Sequence, residues 1–454
     1  MPITASFGAL SYPRSGGINS NWEYWYLETN SNANFNGGTF DSTTTNFFIA
    51  GQDPSTNRAL VLRVNENNSY PALAYNFDMF YASFPNSNVT SNFVDVGYSS
   101  LNSGNIILYG SYQSGNGFSG WQVPFSTANI TAVPSTFDGY GANIYSYDSY
   151  LSPNVSLTKS SAYSISPSSS SNDWIVYRDN YRLVYRNLSR TRYNVSGPLT
   201  YVGCSTTSDA VPQNIMTDTT GNAVVALNLS TTTASDTLIR RVNKTSGGTP
   251  YPLYPTIWQR KYSFGIIYQT VLDTSNNIYF VSTDNTNSVV VQYDISGNLV
   301  WQRQINGVKL KGITYVSSSS RLYVCGTIVS NNNLFFASYD LSGNIQWQTK
   351  LSGAVFDGKR IKVTTNGAYV VGQAGSRGFT FKAPIDGTVP GDGTFTLNGT
   401  NYTYTVASQT ETAASYTSTT PATTDTSLAY FCSSGNGVHY NNNGMTFSSV
   451  DTVA

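Results

Sequence analysis

The sequence predicts an all-β chain, on three observations: short runs rich in β-branched and aromatic residues, polar Ser/Asn/Gly turns between them, and an internal repeat. The stretch YDISGNLVWQRQING at 293 to 307 returns as YDLSGNIQWQTKLSG at 339 to 353. Tyr293 to Tyr339 and Trp301 to Trp347 are each 46 residues apart, and Trp258, in IWQRKYS, lies 43 residues before Trp301. Three Trp-Gln pairs at that period mark a repeated unit.

Within one period the chain reads as four strands, at 269 to 273, 277 to 283, 288 to 294 and 299 to 305, separated by TSNN, DNTN and SGN. In the Ser-Gly-Asn turn, Gly297 and Gly343 take positive φ without steric cost, while the Asp294 and Asp340 side chains cap the turn. A four-stranded sheet of this size cannot bury both faces alone, but several stacked radially can. The expectation is a β-propeller of about seven four-stranded blades, six to eight being open.

Weaker paired-strand copies at 46 to 68, 105 to 125, 173 to 188, 221 to 243 and 359 to 387, with a poorly marked blade near 135 to 165, lead to that count. Residues 1 to 20 read as an N-terminal arm and 21 to 387 as the propeller. The aromatic stretch NWEYWYLETN at 21 to 30 is expected to complete the last blade, since pairing the chain ends removes open edges. Residues 388 to 454 lack Lys and Arg and run through TETAASYTSTTPATTDTS without evident strand periodicity. Such a segment buries too little apolar surface to order itself, so its order is expected to come from other copies or other proteins. Phe395, Tyr402, Tyr404, Tyr416, Tyr430, Phe431, Tyr440 and Phe447 are its candidate assembly anchors, seated in pockets of the propeller or a neighbour and linked by strand addition.

Composition narrows the function classes. Charged residues make up 11% of the 454, against about 25% in an average soluble protein, and 24 basic residues balance 24 acidic ones. Neither a phosphate-tracking groove for nucleic acid nor a polybasic membrane patch fits that balance. The start MPITASFGALSYPRSGG has no basic, apolar signal-peptide pattern, and no apolar run is long enough to span a bilayer, so neither export by that route nor membrane insertion is expected. The 34 tyrosines suit a surface that assembles or stacks on sugars.

The inventory for chemistry is thin. One histidine, His439, and three scattered cysteines, Cys204, Cys325 and Cys432, support neither a zinc cluster nor a disulfide framework, and the thiols read as small apolar strand residues. His439 has no partner pattern of a general base, and the serines at 166 to 173 lack a nucleophile setting. No catalytic, cofactor or metal residues are assigned. Asn88, Asn129, Asn154, Asn187, Asn194, Asn228 and Asn398 begin sequons that such a composition produces freely. Arg178, Arg182, Arg186, Arg190 and Arg192 would crowd one face or rim of a strand pair, either as a solvated face or as a surface for an acidic partner.

The Asp-x-Ser-Gly-Asn-x-x-Trp pattern resembles the repeat of quinoprotein dehydrogenases and, loosely, the aspartate box of sialidases, where the turn is architectural. The opening ITASFGALSYPRS with EYWYLET, the YDxSGNxxWQ blades and the ending KAPIDGTVPGDGTFTLNGTNYTYTVAS together resemble β-propeller virion structural proteins of tailed bacteriophages, especially those of marine cyanobacteria. That resemblance implies a non-enzymatic component, made in the host cytoplasm and displayed on the virion, with other virion proteins and copies of itself as partners and host-surface glycan as a further candidate. A tail-associated fibre, adhesin or adaptor is the first expectation; capsid decoration and a cellular carbohydrate-binding propeller are the alternatives.

Overall fold

The computed structural model describes residues 10–11, 25–40, 46–54, 58–65, 72–77, 90–99, 105–114, 117–126, 161–164, 172–179, 182–189, 200–204, 211–228, 237–243, 256–389, 393–397, 399–420 and 425–429. Every regular element among them is a strand. After β1 (Leu10–Ser11) and β2 (Trp25–Asn32), β3 (Asn34–Phe40), β4 (Asn46–Asp53), β5 (Arg58–Asn65) and β6 (Ala72–Phe77) form the first sheet. The second contains β7 (Thr90–Ser99), β8 (Asn105–Ser114) and β9 (Gly117–Ser126). The third begins with β10 (Ser161–Ser164), β11 (Asn172–Asp179), β12 (Arg182–Ser189) and β13 (Thr200–Cys204), and the fourth with β14 (Val211–Thr217), β15 (Ala223–Asn228), β16 (Thr237–Val242) and β17 (Thr256–Tyr262). The fifth follows with β18 (Ile266–Leu272), β19 (Ile278–Thr283), β20 (Ser288–Tyr293) and β21 (Leu299–Ile305), then the sixth with β22 (Val308–Val316), β23 (Arg321–Ile328), β24 (Leu334–Asp340) and β25 (Ile345–Ser352). The last holds β26 (Phe356–Thr364), β27 (Gly367–Ala374) and β28 (Arg377–Ala383).

These seven sheets close into a ring, because the first strands of consecutive sheets touch in the order β3, β7, β10, β14, β18, β22, β26 and back to β3. That closed radial stack is a β-propeller. The first strands line the centre, and the later strands of each sheet follow outwards. β2 pairs antiparallel with β28, so the N-terminal strand supplies the fourth strand of the last sheet, with β1 beyond it. Residues 161 to 164 belong to the same sheet as 173 to 188; the segment near 135 to 165 is therefore not a sheet by itself among the described residues, and 135 to 160 lie outside them.

Burial explains why the middle strands are apolar without alternation. All six residues of β19 and of β20 are buried, because each sheet packs both faces against neighbours. Tyr279, Val281 and Val290 of the fifth sheet share one cluster with Ile313, Val324 and Phe335 of the sixth, and Tyr369 and Val371 of the last sheet pack with Phe35, Phe47 and Ile49 of the first.

The repeated tryptophans lock successive sheets. Trp258, Trp301 and Trp347 hold equivalent places in β17, β21 and β25, and each indole lies on the turn glycine of the following sheet. Trp258 Nε1 donates to Ile295 O at 2.8 Å and Trp301 Nε1 to Leu341 O at 2.9 Å. Trp258 is buried, whereas Trp301 and Trp347 are only half-buried, since they cap the seam between two sheets near its rim. The socket is built by the turn itself. Asp294 Oδ1 accepts from the Ser296 and Asn298 amides at 2.9 and 2.8 Å, and Asp340 does the same with Ser342 and Asn344 at 2.9 Å each. Partial burial pushes both carboxyls up, but these bonds outweigh it and hold them below the usual carboxylate range. Tyr293 and Tyr339, one residue earlier, are fully buried.

Gly343 has φ 83°, and an added Cβ would lie 2.8 Å from Trp301. Gly343→Ala should therefore cost about 1 to 3 kcal/mol for the clash beyond the backbone penalty. Gly375→Ala, at φ 61° with open space around it, isolates that backbone term. Urea unfolding of both variants measures the difference.

Candidate functional site: a C-terminal belt on the outer rim

Residues 394 to 429 do not form a separate unit. They contribute β29 (Thr394–Leu397), β30 (Thr400–Val406), β31 (Glu411–Ala413), β32 (Ser418–Thr419) and β33 (Asp425–Ala429). β29 and β30 form a hairpin, and β30 pairs with β25, β31 with β21, β32 with β17 and β33 with β13, all antiparallel. The segment thus travels backwards around the propeller, adding a fifth strand to the sixth, fifth, fourth and third sheets in turn. The expectation that other copies order this segment is corrected for these residues. Their partners are the protein's own outer strands, whose unpaired N–H and C=O groups offer ready ladders.

The register has a period. Leu351 pairs with Tyr404, Ile305 with Glu411, Tyr262 with Ser418 and Cys204 with Asp425, so each step from sheet to sheet takes seven belt residues. Seven extended residues span about 23 Å. The flanking bonds keep the same period: the Asn306 amide donates to Thr410 O at 3.0 Å, and the Ser263 amide to Thr417 O at 3.1 Å. The sequence carries it as ASQTETA at 407 to 413 and ASYTSTT at 414 to 420, a repeat hidden among common Ala, Ser and Thr residues. The reading of no strand periodicity failed because the period follows the spacing of sheets rather than the pleat.

The glutamines of the Trp-Gln pairs are the functional residues that sequence reasoning missed. The Gln348 side chain clamps one belt residue at both ends: its Oε1 accepts from the Gln409 amide, and its Nε2 donates to Gln409 O, each at 3.0 Å. One step on, Gln302 Nε2 donates to Tyr416 O at 3.1 Å, and Gln302 Oε1 accepts from Tyr262 OH at 2.5 Å. Trp301 and Trp347 face the next sheet while Gln302 and Gln348 beside them serve the belt, whereas Gln259, beside Trp258, accepts from Arg240 Nη2 of its own sheet at 2.9 Å; the recurrence of Gln beside Trp was the available signal.

Four anchors lie on the protein's own surface. Phe395 stacks on Tyr402 at 5.1 Å across the hairpin, and both are buried. Tyr404 stacks on Phe336 at 5.5 Å and meets Phe381 edge-on at 5.5 Å, while burial pushes its phenol well up. Tyr416 packs on Phe264 at 4.3 Å and donates to Gln304 Oε1 at 2.6 Å. The hairpin turns at Gly399, which stands at φ 79°. Tyr402 OH donates to Glu28 Oε2 at 2.7 Å, and the 4% exposed Glu28 carboxylate also pairs with Arg377 at 2.7 Å. One carboxylate therefore joins the N-terminal strand, the last sheet and the belt. Tyr430, Phe431, Tyr440 and Phe447 lie outside the described residues, as do His439, Cys432, Arg190 and Arg192.

Arg178, Arg182 and Arg186 lie on the paired strands β11 and β12, in register with Leu183, Asp179 and Ile175 respectively. Asn228 is buried and exchanges hydrogen bonds with the Ile267 main chain, which withholds that sequon from glycosylation. Cys325 is buried and unpaired, its thiol pushed up by burial. Among the described residues no three His, Cys, Asp or Glu side chains gather to hold a metal, and no helix is long and apolar enough to cross a membrane.

No family model and no curated protein matches the chain. Solved structures similar to it include a prolyl endopeptidase, at 10% identity and TM-score 0.48, covering 83% of this chain and 50% of that one. Prolyl oligopeptidase B from Galerina marginata is 12% identical with TM-score 0.47, covering 75% and 47%. A quinonprotein alcohol dehydrogenase-like protein from Bacteroides thetaiotaomicron is 11% identical with TM-score 0.34, covering 77% and 89%. The chain spans about half the length of the two peptidases it matches. At these values the likeness brings neither activity nor substrate to this chain.

Belt attachment should depend on pH through Glu411. Burial pushes its carboxyl up from 4.5 to about 7, against the pull of Arg303 3.6 Å away. The folded state then holds this proton more tightly than the unfolded one, so the contribution is full below pH 4.5 and is lost as pH rises through about 7. Hydrogen exchange at 411 to 413, corrected for intrinsic rate, should show easier opening at pH 7.5 than at pH 4.5, both pH values being set by the experimenter at about those figures. Glu411→Gln should flatten the difference. Gln348→Ala should ease opening at 407 to 410 by about 1 to 2 kcal/mol.

Proposed function

We propose that this chain is a non-enzymatic structural protein of a tailed-bacteriophage virion, a propeller displayed on the particle and most simply placed at the tail, in assembly or host attachment. Counting each sheet as one blade, that propeller has seven blades. The observation that carries the reading is the belt. Within residues 394 to 429, a low-charge sequence rich in Thr, Ser and Ala, short strands add to the outer edges of four sheets. A component exposed on a particle benefits from having its sheet edges covered, since open edges pair with foreign strands. Among the described residues, β6 and β9 have no strand on their outer sides. In this reading those two edges receive strands from neighbouring virion proteins or further copies, with main-chain pairing providing affinity.

The test is particle incorporation. Quantitative mass spectrometry of purified virions should find the protein at a fixed copy number. Removal of residues 410 to 454 should abolish its presence in particles, with the β-type circular dichroism retained. Truncated protein incorporated at normal copy number, or intact protein absent from particles, would contradict the proposal.

A further inference from the structure

The first strands share an irregularity that the belt does not explain. Their pairing with the second strands slips by one residue at Asn36 in β3, Val94 in β7, Gln213 in β14, Tyr268 in β18, Lys311 in β22 and Lys359 in β26. Bulges re-aim side chains and gather beside binding sites. Here they recur at one level in six of the inner strands.

On one side of that ring the residues are cationic. Lys309 and Lys311 alternate on β22, and Asp357 and Lys359 on β26, all half-buried. Lys311 Nζ lies 2.5 Å from Asp357 Oδ1 and 5.4 Å from the centre of the Tyr268 ring. Lys359 Nζ donates to Asn34 Oδ1 and Asn36 Oδ1 of β3. Asp357 pairs directly with Lys311, and its charge also acts on Lys309 and Lys359. Arg360, next along β26, uses Nη1 on Lys359 O at 3.0 Å, while its Nε is buried without a hydrogen-bond partner among the described residues. Burial, with repulsion from Lys311 and Arg360, pushes the Lys359 amine down to about 8 despite Asp357, and burial with Lys311 lowers Lys309 as well. Among the described residues this side of the centre thus carries more positive than negative charge, in a place where charge is costly.

We propose that the propeller centre, between β22, β26 and β3, binds a tetrahedral oxyanion, phosphate or sulfate, through Lys309, Lys311 and Lys359. Lysine is a point charge with three rotatable donors, suited to an anion whose oxygens point in several directions. The Asn34 and Asn36 amides, which now accept from Lys359, hold its ammonium at the ring. The anion arrives either free or as the ester group of a glycan. This inference does not depend on the virion reading.

Isothermal titration calorimetry of the full chain near neutral pH tests it, with sodium sulfate, sodium phosphate, galactose 6-sulfate and galactose as separate titrants. Saturable binding of one anion per chain, with a dissociation constant below about 1 mM, is expected for the inorganic anions or the sulfated sugar, and none for galactose. Tighter binding of galactose 6-sulfate than of sulfate assigns the site to an ester, and equal binding to the free anion. Lys311→Met and Lys359→Met should each weaken binding about tenfold, whereas Asp357→Asn, which removes the competing carboxylate, should tighten it. Affinity should fall as pH rises past about 8 and Lys359 loses its proton, the charged groups acting on it being Asp357, Lys311 and Arg360. Absence of saturable heat with every anion, or an unchanged constant in folded Lys359→Met with Asp357→Asn also silent, would overturn the site.

Discussion

A radial array of sheets leaves one row of unpaired N–H and C=O groups on each outermost strand, and the rest of this molecule depends on how those rows are satisfied. In four sheets the C-terminal segment does it, pairing with β25, β21, β17 and β13, and in the last sheet β1 lies outside the N-terminal strand β2. The solution constrains sequence on both sides. The belt must repeat every seven residues to meet successive sheets, and each outer strand must present the same main-chain register to it. A segment with almost no charge and few aromatic residues can meet that demand because main-chain bonds, rather than apolar burial, hold most of it in place.

Two adjacent residues divide the work at each seam. Trp301 rests on the Gly343 turn and ties the fifth sheet to the sixth, while Gln302 reaches outward to Tyr416 O and ties the fifth sheet to the belt. Trp347 and Gln348 repeat this one sheet later, with Gly387 as the socket and Gln409 as the clamped residue. Loosening the belt at a glutamine therefore acts on the strand that carries the inter-sheet indole. The Glu28, Arg377 and Tyr402 contact closes the same circuit where β2, β28 and β30 meet.

Much of this was legible in the residues. The strands at 277 to 283, 288 to 294 and 299 to 305 lie within a residue of β19, β20 and β21, because β-branched runs bounded by Asx and Gly turns leave little choice. Asp294 caps its turn through its side chain, and Gly297 supplies the positive φ that the turn requires. The belt was harder to see. Its seven-residue period reflects the distance between sheets, which no local propensity encodes, and Ala, Ser and Thr are too common for a repeat among them to stand out. Gln302 and Gln348 were visible beside their tryptophans, but a glutamine on an outer strand looks like any solvated residue until its partner is known. Lys311 lies 48 residues before Lys359 in the sequence, and the packing of β22 beside β26 brings it onto Asp357, two residues from Lys359.

The central claim is that the belt is held in a seven-residue register. It can be tested with two internal deletions in the full chain. Removing residues 408 to 414 deletes one whole repeat and sets Tyr416 in the place of Gln409 and Ser418 in that of Glu411. Removing 408 to 411 shortens the belt but breaks the register. Hydrogen exchange at the outer strand β21 should stay slow in the first variant and become fast in the second. Equal protection in both, or loss in the seven-residue deletion alone, would contradict the account.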